Sequence, residues 1–187
     1  KYPWAAMRLA QVIPGASADA ADLEITNLAY DTRAVTPGTL FFCVPGFTRD
    51  GHDFAAQAVA KGATALVVER PLNAGAPEIQ VDDARAAMAP AAAAFYGDPT
   101  SRLTTVGVTG TNGKTTTAFL TRTILEADGR PTGLLGTVTS IIGGVEHDVV
   151  RTTPEAIDLQ RTFREMLAQG DVACAMEVSS HALALHR

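Results

Sequence analysis

The chain has 187 residues, 47% hydrophobic and 19% charged, with a formal net charge of −5 at pH 7. That composition supports one large or two small globular domains and excludes a disordered chain. Net negative charge without a Lys/Arg cluster argues against nucleic acid or an anionic membrane as partner, and the two cysteines, Cys43 and Cys174, exclude a disulfide scaffold and a Cys-rich zinc site and fit a reducing cytosol.

No apolar run approaches the ~20 residues of a membrane span. Alanine accounts for 33 residues, so the hydrophobic fraction overstates the large side chains available for packing. The chain opens on Lys1-Tyr2-Pro3-Trp4 without a signal-peptide pattern and closes at Arg187 inside a helical pattern, which reads as a truncated piece of a longer protein.

Strand-type and helix-type segments alternate, the mark of an α/β fold. In the first half, strands are expected at Ile25–Tyr30, Thr39–Val44, Ala65–Val68 and Glu78–Val81, and helices at Ala5–Val12, His52–Lys61 and Asp83–Tyr96. Gly62 ends the second helix, and Pro90 is expected to kink or split the third. The turn-rich run Tyr96-Gly97-Asp98-Pro99 places a domain boundary at about residue 98, giving domains 1–97 and 98–187.

Beyond it, Leu103–Thr109 reads as a strand, Lys114–Ala127 as a helix and Thr132–Ser140 as a strand. Gly143-Gly144 suggests a hairpin returning through Val145–Val150. Thr153-Pro154-Glu155 has the pattern of an N-cap, a first-turn proline and an acid, opening a helix that Gly170 ends. Val172–Val178 reads as a buried strand, and Ser179-Ser180-His181 opens another helix.

The strongest chemical signal is the strand–loop–helix run from Val106 through Gly110-Thr111-Asn112-Gly113-Lys114-Thr115-Thr116. Glycines let the backbone curl so that N–H groups face phosphate oxygens, and a helix N-terminus adds partial positive charge. Lys114 would bridge the β- and γ-phosphates, and the Thr115 hydroxyl would ligate Mg²⁺. The general phosphate-loop pattern asks for glycine at position 108, where this chain has valine.

That loop, with Thr109 before it, resembles the loop of the Mur ligases of peptidoglycan synthesis, whose first glycine is shifted in the same way. Asp31-Thr32-Arg33 followed by Pro37-Gly38-Thr39-Leu40-Phe41-Phe42, then Phe47-Thr48-Arg49-Asp50-Gly51-His52, is similar to their UDP-binding N-terminal domain. Phe95-Tyr96-Gly97-Asp98-Pro99 is similar to the linker into their ATPase domain. Thr152-Thr153-Pro154 and Met176-Glu177-Val178-Ser179-Ser180-His181 resemble the subfamily that adds the third residue of the muramoyl peptide.

The resemblance implies a small α/β UDP-binding domain followed by the start of a phosphate-loop α/β ATPase domain. It implies a cytoplasmic ligase that spends ATP, with Mg²⁺, to convert the carboxylate of UDP-N-acetylmuramoyl-L-alanyl-D-glutamate into an acyl phosphate for attack by an amino acid. The alanine content points towards meso-diaminopimelate rather than L-lysine. Thr32, Phe47, Thr48 and Arg49 would contact the uridine and diphosphate. Thr152, Thr153, Ser179 and Arg187 would hold the muramoyl-dipeptide end, and Glu177 would ligate a second Mg²⁺. Arg151 and Leu185 stand where the pattern expects Asn and Gln. The isolated chain is expected not to complete the ligation.

Blander readings stand beside these. Asp31-Thr32-Arg33 alone is a turn with a surface ion pair. Thr152-Thr153 is equally a helix cap, Glu177 a strand-end acid in water, His52 a helix start, His181 a capping or packing residue, and Cys43 and Cys174 small core residues. The rival functions are another ligase of the superfamily, of folylpolyglutamate- or cyanophycin-synthetase type, and a nucleotide-binding module without ligase activity.

Overall fold

The computed structural model describes residues 5–46, 48–149 and 153–184. The chain divides into two compact units, Lys1–Phe95 and Tyr96–Arg187.

In the first unit β1 (Met7–Arg8) leads into α1 (Leu9–Val12), so the helix expected over Ala5–Val12 is reduced to one turn. The reason is tertiary: Met7 and Arg8 pair antiparallel with β2 (Glu24–Ile25), and strand pairing overrides the local helical pattern. The single strand expected over Ile25–Tyr30 is two strands in two sheets, β2 and β3 (Asn27–Ala29). The switch falls at Thr26, whose N–H donates to Gly38 O at 2.9 Å and whose hydroxyl donates to Pro37 O at 3.0 Å.

β3, β4 (Thr39–Phe42), β5 (Ala63–Val68) and β6 (Glu78–Gln80) form a four-stranded sheet of parallel neighbours in chain order. A 3-10 turn, Gly51–Phe54, and α2 (Ala55–Ala60) connect β4 to β5. Every residue of β4 is buried, as expected for a parallel strand covered on both faces. Phe41, Cys43, Leu66 and Val68 pack with Ala55 and Ala58 of α2 on one face, and the pleat sends Leu40 and Phe42 to the other.

α3 (Ala84–Phe95) runs unbroken through Pro90, so of the expected kink or split the split does not occur. Proline removes one intrahelical hydrogen bond, and burial of Ala84, Met88, Ala91, Ala92 and Phe95 holds the helix regardless.

In the second unit β7 (Thr104–Val108), α4 (Lys114–Ala127), β8 (Thr132–Leu135), β9 (Ser140–Ile142), β10 (Val145–His147), α5 (Ala156–Gln169), β11 (Ala173–Glu177) and α6 (Ser180–Ala184) follow in order. The sheet order is β10-β9-β8-β11-β7, with β8, β11 and β7 parallel. The strand expected over Thr132–Ser140 folds back on itself: Gly136 N donates to Thr139 O, and Leu134 faces Ile141 across an antiparallel pair. The Gly143-Gly144 hairpin forms as predicted, with φ of 56° and 79° joining β9 to β10, a turn that suits glycine at both positions.

α4 and α5 cover opposite faces. Ala118 of α4 packs with Leu134, Ile141 and Ala175, whereas Phe163 and Met166 of α5 pack with Leu135, Cys174 and Met176. Cys43 and Cys174 are core residues, and burial pushes each thiol up to about 12.

Candidate functional site

Parallel strands deliver their carboxyl ends to one edge of a sheet, where open α/β folds bind ligands. In the second unit the register puts Glu177, the last residue of β11, beside Val108 of β7, while Met176 lies beside Leu135 of β8. Three connections therefore leave from one edge: the glycine-rich loop after β7, the turn after β8, and the entry to α6.

The glycine-rich loop curls as its sequence demands. Gly110 has φ 146° and Gly113 φ 79°, conformations that side chains with a Cβ rarely adopt. Gly113 is the N-cap of the 14-residue α4 and offers no side-chain cap, so the first amides of the helix are left for another acceptor. Gly110, Thr111, Asn112 and Thr116 are exposed, and the half-buried Lys114 donates from Nζ to Gly110 O at 2.7 Å, folding back along the loop.

Glu177 lies beneath this loop and is 1% exposed. It is not the strand-end acid in water of the bland reading. Its Oε1 accepts from the Thr115 hydroxyl at 3.0 Å and from Thr137 N at 2.8 Å, and its Oε2 accepts from the Thr137 hydroxyl at 3.0 Å. A buried carboxylate needs such donors. The turn after β8 supplies them at close quarters, because a Cβ at Gly136 would lie 3.0 Å from Glu177 Oε1. Thr137 is a site residue the sequence reading missed; its signal was Gly136-Thr137 directly after an apolar run, read instead as continuing strand.

Thr153 does not cap α5. The N-cap is Glu155, and Thr153 is buried beside β11, donating to Glu177 O and accepting from Ser179 N, each at 3.3 Å. Ser179 in turn accepts from Ala182 N at 3.1 Å and starts α6. The Thr153 hydroxyl thus joins the chain before α5 to the end of β11. Thr152 and Arg187, with Arg151 and Leu185, lie outside the described residues.

The first unit has its own edge site. A cavity of about 650 Å³ opens at the carboxyl ends of β3 and β4, and Thr32 and Arg49 line it with Asp31, Arg33, Phe54 and Gln57. The Thr32 hydroxyl donates to Gln57 Oε1 at 3.2 Å, and Lys61 Nζ donates to Thr32 O at 2.8 Å. Arg33 binds Asp31 through two nitrogens, at 3.0 and 2.5 Å, and that hydrogen bonding holds the carboxyl below its ordinary value. Thr48 is exposed next to Arg49, and Phe47 lies outside the described residues. Phe54 and Gln57 were not singled out from the sequence, since an amphipathic helix presents many such residues and only the fold turns two of them into a cavity wall.

Two family models match the chain: "Mur ligase family, catalytic domain" over residues 24–96 and "Mur ligase middle domain" over residues 108–187. The chain belongs to the Mur ligase family. It is 55% identical over 160 residues to the UDP-N-acetylmuramoyl-L-alanyl-D-glutamate–2,6-diaminopimelate ligase of Geobacillus thermodenitrificans, covering 86% of this chain and 33% of that one. It is 47% identical over 176 residues to the enzyme of the same name from Listeria monocytogenes, covering 94% of this chain and 36% of that one.

Among solved structures, a UDP-N-acetylmuramoyl-L-alanyl-D-glutamate–2,6-diaminopimelate ligase matches with a TM-score of 0.79 at 22% identity, over 97% of this chain and 38% of that one. MurF from Acinetobacter baumannii matches with a TM-score of 0.65 at 26% identity, over 96% and 36%. The chain spans about a third of the length of the curated relatives it matches.

Proposed function

We propose that this chain forms the nucleotide-substrate and ATP-phosphate portions of an ATP-dependent cytoplasmic ligase joining diaminopimelate to UDP-N-acetylmuramoyl-L-alanyl-D-glutamate. The observation that carries the reading is the meeting of Lys114, Thr115 and Glu177 at one sheet edge, with Thr115 bonded to Glu177. The names of the relatives at 46–55% identity support the choice of substrate.

The chemistry demands two anions held in line. A carboxylate is a poor acyl donor because its leaving group is oxide. Transfer of the γ-phosphoryl group to it makes an acyl phosphate, which an amine attacks with loss of phosphate. The amides of Gly110–Thr116 cradle the ATP phosphates, and Lys114 exchanges its Gly110 carbonyl for phosphate oxygen. Thr115 and Glu177 are hard oxygen donors of the kind Mg²⁺ takes, and on this reading Thr115 would hold one ion and Glu177 a second. Mg²⁺ held there would supply charge neutralisation on the transferred group.

In the first unit, Thr32, Thr48 and Arg49 bind the uridine diphosphate, with Phe47 beside them in sequence. Thr152, Thr153, Ser179 and Arg187 hold the muramoyl-dipeptide end, with Thr153 acting through the backbone it braces.

The test is ADP release by the full-length protein that carries this chain, given ATP, Mg²⁺ and the UDP-dipeptide, with diaminopimelate or L-lysine offered separately. Turnover that needs the UDP-dipeptide and diaminopimelate is expected. Turnover with lysine alone corrects the amine, and failure to bind the UDP-dipeptide overturns the reading.

A further inference from the structure

The connection that carries Arg49 is exposed at the cavity, yet it is not left to find its own shape. Pro45 and Asp50 form an isolated antiparallel bridge, and Gly46 N donates to Arg49 O at 2.9 Å. Asp50 is bonded on both carboxylate oxygens. Oδ1 accepts from His52 N at 2.9 Å and from His52 Nδ1 at 2.6 Å, and Oδ2 accepts from Arg70 Nη2 at 2.8 Å.

His52 is 4% exposed, and its Nε2 accepts from Glu69 N at 2.9 Å. An N–H aimed at Nε2 places the ring proton on Nδ1, facing Asp50. Glu69 and Arg70 directly follow β5, so the histidine ring and the arginine each tie Asp50 to the end of that strand.

From this geometry we infer that Asp50, His52 and Arg70 are positioning residues that fix Arg49 for an anionic nucleoside diphosphate in the cavity. The inference rests on the reading of that cavity as the uridine diphosphate site. Two physical consequences follow from the network. A connection already held in place loses less freedom when ligand binds, so more of the contact energy appears as affinity. Arg70 also compensates the charge of Asp50, the immediate neighbour of Arg49, so an arriving diphosphate meets less opposing charge.

The experiment titrates UDP and, separately, ADP into the full-length protein that carries this chain and its Asp50→Asn, Arg70→Ala and Arg70→Lys variants, with thermal melts to verify folding. Arg70 is half-exposed, so its removal leaves the core intact. The UDP Kd is expected to rise about 10-fold in Asp50→Asn and Arg70→Ala, with ADP binding unchanged and Arg70→Lys close to the parent, as loss of preorganisation at one site requires. UDP binding unaltered in the folded variants overturns the inference, and so does a matched loss of UDP and ADP binding, which marks a merely structural role. A full-length parent that ignores UDP overturns the site reading itself, and the inference with it.

Discussion

The hydroxyl of Thr115 donates to Glu177 Oε1 at 3.0 Å, joining two residues 62 positions apart in sequence. It ties the first turn of α4 to the last residue of β11. Glu177→Gln keeps the shape of the side chain and removes its charge, and should raise the Mg²⁺ requirement for ADP release by the full-length protein about 10- to 100-fold. Glu177→Ala additionally strands the donors of Thr115 and Thr137 and should cost about 1–3 kcal/mol of stability in urea denaturation. Equal Mg²⁺ dependence in Glu177→Gln and the parent would remove Glu177 from the proposed metal ligands.

Lys114→Ala should abolish ADP release in the full-length protein while leaving affinity for the UDP-dipeptide near that of the parent, as loss of a phosphate contact predicts. The two measurements together distinguish a phosphate-loop lysine from a residue the fold requires. Parallel loss of both would mean the loop is misassigned.

Gly51→Ala should be among the most damaging alanine substitutions in the first unit. A Cβ there would lie 2.5 Å from Val44 N and 2.6 Å from Val44 O, backbone atoms that a side-chain rotation cannot move aside. The expected cost is about 3 kcal/mol, the upper part of the overpacking range, read as a lower urea midpoint. UDP binding should weaken with it, because Gly51 also lines the cavity.

Acid should loosen the same corner. Burial alone would raise the Asp50 carboxyl, but hydrogen bonds from His52 N, Arg70 and the His52 ring outweigh it and hold the group at about 2, against an ordinary 3.8. A folded-state value below the unfolded one gives stability that is complete above pH 3.8 and is lost as pH falls to about 2. Over that interval the parent should lose more stability than Asp50→Asn, measured by thermal melts at successive pH values. Parallel curves would count against the bonds.

Much of the first unit was legible because its strands and turns are locally encoded. The run Thr39–Phe42 is β-rich throughout and apolar after its first residue, and the Gly143-Gly144 turn of the second unit admits few alternatives. The misread elements share one physical cause. Met7-Arg8 looks helical until Glu24-Ile25 is there to pair with it, and Thr26 looks like mid-strand until Pro37 and Gly38 claim its donors. Pro90 looks like a break until the surrounding core holds its helix together.

The sequence by itself determined the glycine-rich strand–loop–helix run, because glycine spacing, a following lysine and a helix start are properties of adjacent residues. It determined the family resemblance for the same reason, through short contiguous motifs. Only the tertiary structure decided what surrounds Glu177, that the Thr153 hydroxyl bonds the end of β11 rather than capping α5, and that Asp50, His52 and Arg70 meet at one connection. Those relationships link residues on separate strands, and a parallel sheet brings such residues together only after its crossovers have folded.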